Sequence, residues 1–273
     1  MKAIVTILIT ALFAFAGVNV VVSIPPEKFF VKKIAKDLAN VTVMLPPGAS
    51  PATYSVKPAQ LKALKDANVY FSIGVPFEKA WLNKFVSVNP LMRVEDLAQD
   101  IKKIPMEEGE HEGNLDPHVW LSPPLVILES RVILKTLISL DPKNADIYMK
   151  NYEKFVSELG SLDMKIMSIL KDLKKREFIV FHPSFGYFAK AYNLTQIAIE
   201  REGKEPSAKY MQRVIKKAKE LGIKRIFVEP QFPKRSAEYI AKKLKGEVVT
   251  IDPLAEDWEK NILKIARAIG NGN

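Results

Sequence analysis

Apolar and polar positions along the chain follow two alternating patterns. Short apolar runs, such as residues 18–23 and 178–181, are typical of buried strands. Between them lie segments in which apolar residues recur every three or four positions, as in amphipathic helices. The predicted strands are residues 18–23, 41–45, 69–73, 178–181, 226–228 and 248–251. The predicted helices are residues 27–38, 58–67, 77–84, 185–192, 207–221, 236–244 and 258–269. Such alternation predicts parallel βαβ units, and therefore an α/β fold.

The middle of the chain carries a longer helical pattern. Residues 144–173 place one apolar stripe at steps of four and three, formed by Tyr148, Tyr152, Phe155, Leu159, Leu162, Ile166, Ile169 and Leu173. One long helix with a single buried face follows from this stripe. We therefore expect two parallel-sheet α/β lobes linked by that helix. The predicted division is a signal segment (1–16), an N-terminal lobe (17–143), the linking helix (144–175) and a C-terminal lobe (176–273).

The first residues resemble a secretory signal. Lys2 precedes an apolar run over residues 3–16 that ends in Ala14-Phe15-Ala16, a small-residue pattern typical of cleavage sites. Cleavage near Ala16 is the favoured reading. Retention as an anchor is the alternative, because the uncharged stretch continues to Ile24. Either way, the body of the protein is expected outside the cytoplasm, as a secreted, periplasmic or cell-surface protein.

The composition of the chain excludes several kinds of functional site. The chain of 273 residues has no cysteine, which excludes disulfides, thiolate metal sites and thiol catalysis. It carries 41 basic and 31 acidic residues, a formal charge of +10. The lysines are scattered in pairs along predicted helices, which indicates a solvated surface rather than a nucleic-acid interface.

Three polar residues are candidates for a common site. His182 and Asp252 directly follow predicted strands, and His118 lies in the loop 116–120. Ligands of open α/β sheets collect at the carboxyl ends of the strands. Two imidazoles and a carboxylate suit Zn²⁺, with Mn²⁺ and Fe²⁺ as alternatives. Asp116 could orient the His118 imidazole through its second nitrogen. Each residue alone could equally be structural, as a hydrogen-bonded histidine or a turn-forming aspartate.

Several short motifs resemble one family in the same order and at comparable spacing. They are residues 46–51 (PPGASP), 116–121 (DPHVWL), 181–188 (FHPSFGYF), 203–207 (GKEPS), 228–232 (VEPQF) and 251–254 (IDPL). The chain is similar to the metal-specific (zinc and manganese) solute-binding proteins of ABC importers. The resemblance implies two α/β lobes joined by a rigid helix, with a metal ion held in the cleft between them. It also implies a monomer that delivers its ion to a membrane permease with a cytoplasmic ATPase.

The resemblance further implies four ligand positions, of which His118, His182 and Asp252 fill three. Ala52 stands where the first ligand, a histidine, is expected. Water could fill that position, or a donor from the acidic segment 105–118, where His111 lies among glutamates. Glu229 resembles a residue near the cleft and is expected to support the site without binding metal.

Two other functions compete with metal capture. The loss of the first histidine allows a degenerate member that binds no metal tightly, with an adhesive or accessory role or another solute. A zinc hydrolase is disfavoured because the chain has no H-E-x-x-H motif. We therefore expect no enzyme.

Overall fold

The computed structural model describes residues 17–106, 115–200 and 205–271. These residues form two four-stranded parallel sheets. In spatial order, the strands of the first sheet are residues 39–43, 18–22, 69–72 and 93–96, and those of the second are residues 195–198, 177–180, 225–228 and 247–250. The predicted signal segment and His111 lie outside the described residues. Within the described ranges, every helix is too short or too polar to cross a bilayer.

The N-terminal lobe contains the first sheet. Its strands are β1 (Val18–Val22), β2 (Ala39–Val43), β3 (Val69–Ser72) and β4 (Arg93–Asp96). Its helices are α1 (Pro25–Ala35), α2 (Pro58–Lys65), α3 (Pro76–Val88) and α4 (Pro123–Leu140). All four helices begin with proline, whose fixed φ suits the first helical turn and whose missing N–H is not needed there. Val20 of β1 pairs with Val41 on one side and Val69 on the other, which centres β1 in the sheet.

A single helix joins the lobes. It is α5 (Ala145–Leu170), 26 residues long, and it packs against α1 and α4 of the first lobe and the C-terminal helix of the second. The predicted stripe is its buried face, as shown by Tyr148, Phe155 and Leu162, each at most 2% exposed. The helix ends earlier than residue 173. The predicted lobe boundaries at residues 143–144 and 175–176 stay a prediction.

The C-terminal lobe repeats the arrangement of the first. Its strands are β5 (Glu177–Val180), β6 (Thr195–Ala198), β7 (Arg225–Val228) and β8 (Glu247–Thr250). Its helices are α6 (Gly186–Ala191), α7 (Ala208–Leu221), α8 (Arg235–Leu244) and α9 (Trp258–Gly270). Both faces of this sheet are covered. Phe178 and Phe227 face the main core shared with the first lobe, whereas Ile179 and Ile226 face a second core beneath α7 and α8. Burial on both faces explains why these strands are continuously apolar.

Two tryptophans connect the lobes. The Trp120 Nε1–H donates to the Pro253 carbonyl, and the Trp258 Nε1–H donates to the Trp120 carbonyl, both over 2.8 Å. Trp258 also meets Phe30 edge to face, with ring centroids 5.1 Å apart. Buried indole N–H groups need such partners. The lobes are therefore held together by packing and by paired polar groups in addition to α5.

Candidate metal centre

The candidate residues of the C-terminal lobe follow strand ends. His182 lies two residues after β5, Glu229 directly after β7, and Asp252 two residues after β8. The strand order reverses between β5 and β7, and this switch point is where α/β sheets leave a crevice at their carboxyl edge. The sheet topology thus places His182 and Glu229 at this crevice.

His118 reaches the site from the N-terminal lobe and is held by Asp116. The His118 Nδ1–H donates to Asp116 Oδ1 over 2.7 Å, and the His118 backbone N–H donates to the same oxygen over 2.9 Å. Asp116 is 1% exposed, and its carbonyl accepts a hydrogen bond from the Tyr187 hydroxyl of the other lobe. Since a carboxylate only accepts, Nδ1 must carry the proton, and Nε2 keeps its lone pair.

His182 is oriented by the same kind of contact. Its Nδ1–H donates to Glu200 Oε1 over 2.9 Å, which again leaves Nε2 as the free donor atom. The Phe232 ring stacks on the imidazole, with centroids 4.9 Å apart and planes tilted by 25°. The His182 backbone N–H donates to Glu229 Oε2 over 3.2 Å. The orientation of the His182 ring is therefore fixed by Phe232 on one face and by Glu200 at the Nδ1 edge.

The two imidazoles lie side by side. Their centroids are 5.3 Å apart with an interplanar angle of 73°. Both rings line a cavity of about 300 Å³ between the lobes, whose wall also includes Ala52, Phe232 and Leu254. The structure thus brings together two imidazoles from different lobes beside an open space.

Burial and nearby charged groups have opposing effects on the pKa values of His118, His182 and Glu229. Burial lowers the pKa of His118 despite the opposing effect of Asp116. Burial also opposes protonation of His182, but the hydrogen bond and charge of Glu200, with Glu229 and Asp116, outweigh it, and the pKa of His182 is raised. Burial raises the pKa of Glu229 to about 7, although the charge of His182 and hydrogen bonds from His182 and Ser184 act against it.

The remaining sequence candidates are placed differently. Asp252 Oδ1 accepts hydrogen bonds from Gln231 Nε2 over 3.1 Å and from the Leu254 N–H over 2.9 Å. Among the described residues, no three His, Cys, Asp or Glu side chains are close enough to hold one metal ion in this conformation. Glu229 is fully buried and contacts His182 and Ser184. Ala52 is exposed on the cavity wall, where it offers no donor side chain.

Sequence reasoning missed Glu200 and the role of Phe232. Glu200 is 4% exposed and follows β6, a strand that was not predicted. The sequence feature that could have revealed this strand is the stretch 194–200, in which the apolar residues Leu194, Ile197 and Ile199 precede a single acid. Recognising that short run as a strand would have placed Glu200 at the same sheet edge as His182.

The comparisons with known proteins agree with this architecture. The family model of ZnuA, described as the periplasmic component A of the zinc-uptake complex, matches residues 20–271. The chain belongs to this family. A crystal structure of ZnuA is 44% identical and superposes with a TM-score of 0.90, covering 94% of this chain and 99% of that one. The ZnuA family comprises substrate-binding transport proteins rather than enzymes.

Two curated relatives of the ZnuA family differ in their metal. The high-affinity zinc uptake protein ZnuA of Bacillus subtilis is 28% identical, over 86% of this chain and 78% of its own. The manganese-binding lipoprotein MntA of Halalkalibacterium halodurans is 27% identical, over 86% of this chain and 79% of its own. The predicted family and the predicted fold of two α/β lobes with a long linking helix are confirmed.

Proposed function

We propose that this protein captures a divalent transition metal outside the cytoplasm and delivers it to the permease of an ABC importer, acting as a monomer. Zinc is the proposed cargo, with manganese as the alternative. The observation that supports this best is the pair of imidazoles, His118 and His182, each hydrogen-bonded through Nδ1 to a carboxylate and each with Nε2 available. Imidazole nitrogen favours zinc over manganese, which prefers oxygen donors.

In this proposal His118 and His182 bind the ion first, one from each lobe. Asp252 joins them after its carboxylate leaves Gln231 or the Leu254 N–H. Asp116 and Glu200 hold the imidazoles in the binding tautomer, and Glu229 supports the loop of His182. Binding then biases the relative position of the lobes, which the permease reads.

Zinc binding by purified protein tests the proposal. Competition titration against a chromophoric chelator, with zinc content measured by mass spectrometry, should show stoichiometric binding. His118→Ala and His182→Ala should each abolish it, while His111→Ala should leave it unchanged if the acidic segment takes no part. Stoichiometric binding that survives both His118→Ala and His182→Ala would refute this site.

Cellular zinc uptake tests the delivery step. Cells that lack this chain should take up radioactive zinc more slowly at low zinc concentration, and the wild-type chain should restore uptake. The His118→Ala variant should not restore it. Unchanged uptake without the chain, together with absent zinc binding in vitro, would favour the degenerate member with an adhesive or accessory role.

A further inference from the structure

The donor set near the two imidazoles is too small for one zinc ion. Zinc in proteins is held by four donors in a tetrahedral arrangement. In the described part of the chain, no third His, Cys, Asp or Glu joins His118 and His182 in this conformation. Even after Asp252 moves in, the described residues supply three donors. At least one coordination position therefore faces the cavity.

The cavity is much larger than a single coordinated water requires. Its volume is about 300 Å³, whereas one water occupies about 30 Å³ in the liquid. Pockets that hold small organic molecules begin at roughly 300 Å³. The space beside the imidazoles therefore has room for a small molecule in addition to the ion.

The part of the wall that the described residues form is mostly apolar and carries no acid. Apolar surface comes from residues such as Val75, Met106 and Phe232. The polar side chains of the wall, besides the two imidazoles, are Ser50, Gln231 and Lys79, and none of them is a carboxylate. A second hydrated cation is the alternative occupant of this space. It would need negative charge on the wall, and the described part of the wall carries none.

Positive charge lies along one side of the cavity. Lys79 lines it directly. Lys103 is also near, because its Nζ lies 2.7 Å from the position that a Cβ would take on Gly74, another residue of the wall. Gly74 has φ of +94°, so this close approach of lysine and backbone depends on glycine. Ammonium groups beside an apolar cavity favour an anionic ligand.

We propose that the ion enters this site as a complex with a small chelating carboxylate, of the α-amino or α-hydroxy acid class. This inference rests on the proposed function, since it concerns the same two imidazoles. The carboxylate and its neighbouring amine or hydroxyl fill the coordination positions that the protein leaves open. The body of the chelator occupies the space beside Ala52, and Lys79 faces its carboxylate, or the additional carboxylates of a hydroxy acid such as citrate.

Equilibrium dialysis with labelled chelators tests the proposal on the purified chain. The probes are zinc alone, ¹⁴C-labelled L-histidine alone, ¹⁴C-labelled citrate alone, and each acid together with zinc. Labelled acetate, which has no second donor group, is the monodentate control. We expect equimolar retention of zinc and one of the two chelators when both are present, and no retention of any acid without zinc. Whether L-histidine or citrate is retained distinguishes the amino acid from the hydroxy acid.

Two substitutions locate the chelator. Ala52→Leu, which narrows the cavity, should lower the affinity for the labelled chelator by about tenfold, equivalent to about 1.4 kcal/mol. Lys79→Ala should weaken retention of the more highly charged citrate more than that of L-histidine. Lys84→Ala is the matched control, since Lys84 is on the same helix but stacks on Trp81 outside the cavity. It should leave retention unchanged.

The outcomes separate this inference from the function on which it rests. Equal zinc retention with and without chelator, and no retained label, would overturn the inference and leave metal capture standing. Label retained without zinc would also overturn it, because the acid would then be a solute in its own right. Zinc retained under no condition would overturn metal capture itself, and the inference with it.

Discussion

His182 and Glu200 are joined by a buried hydrogen bond between Nδ1 and Oε1, 2.9 Å long, in which the Glu200 side chain is only 3% exposed. This contact links the loop after β5 to the residue that follows β6. It selects the tautomer of His182 and is a main reason why the pKa of this imidazole is raised against the effect of burial. Glu200 is thus positioned to increase the basicity of His182 Nε2, the nitrogen that we propose binds the metal.

Glu200→Gln tests this role. The amide keeps an oxygen that can accept from Nδ1 but removes the charge, so we expect zinc affinity to fall by about 10- to 100-fold. The pKa of His182, measured by NMR titration without metal, should fall. Glu200→Asp should restore part of the affinity, and Glu247→Gln, which removes an exposed acid paired with Arg225, is the control. An unchanged zinc affinity in Glu200→Gln would contradict the proposed effect.

Two glycines make a matched pair of predictions. A Cβ on Gly186 would lie 2.6 Å from Asp116 Oδ2, whereas a Cβ on Gly160 would meet nothing within 4 Å. Gly186→Ala should therefore displace the carboxylate that holds His118, lower zinc affinity and cost about 1–3 kcal/mol of stability. Gly160→Ala, in the middle of α5, should instead stabilise the protein by about 0.5–1 kcal/mol. Urea unfolding and zinc titration measure both effects, and equal behaviour of the two variants would refute the steric argument.

Whether a strand could be predicted from the sequence depends on how far its side chains are buried. The central strands of both sheets were predicted because they are continuously apolar, and β5 gave the strand-end position of His182. Asp252 follows β8, an edge strand that was also predicted. The two missed strands, β4 and β6, are both at sheet edges. Residues 93–96 of β4 are charged at three of four positions, as is common for exposed edges, and their sequence lacks a strand pattern.

The helix α4 was missed for the opposite reason, because it is too apolar rather than too polar. α4 is apolar on nearly every side, and its buried residues are spread around the helix, so no single stripe marks it. At the site, Asp116 was expected beside His118, but the partner of His182 was not identified from the sequence. Nothing in the spacing of His182 and Glu200 shows that β5 and β6 are neighbours, because that contact arises from sheet order.

Stability should depend on pH through Glu129. This residue is fully buried, both of its carboxylate oxygens lack a hydrogen-bond partner among the described residues, and burial, with the charge of Asp96, raises its pKa from 4.5 to about 8. The folded protein therefore holds this proton over a pH range in which the unfolded chain has lost it. Stability from this group is complete below about pH 4.5 and is lost as the pH rises towards about 8, at up to about 1.4 kcal/mol per pH unit.

Glu129→Met tests this dependence. Methionine is neutral and of similar length, so the free energy of unfolding of the variant relative to wild type should increase from pH 5 to pH 8. The expected increase is on the order of a few kcal/mol. Urea unfolding at both pH values measures it, with Glu220→Gln on the exposed face of α7 as the control. A constant difference between the variant and wild type at the two pH values would show that Glu129 does not titrate in this range.

Ala52→His should complete the metal site. Ala52 lines the same cavity as His118 and His182, so an imidazole at this position adds a third nitrogen donor where the wall now offers a methyl group. We expect zinc affinity in the absence of chelator to rise by at least about tenfold, because zinc then has up to four protein donors. Retention of the chelating carboxylate together with zinc should disappear at the same time, since the added ring occupies its space. Thr53→His, one residue further along and outside the cavity wall, is the matched control. If Ala52→His and Thr53→His bind zinc equally well, the open position at the two imidazoles does not face Ala52.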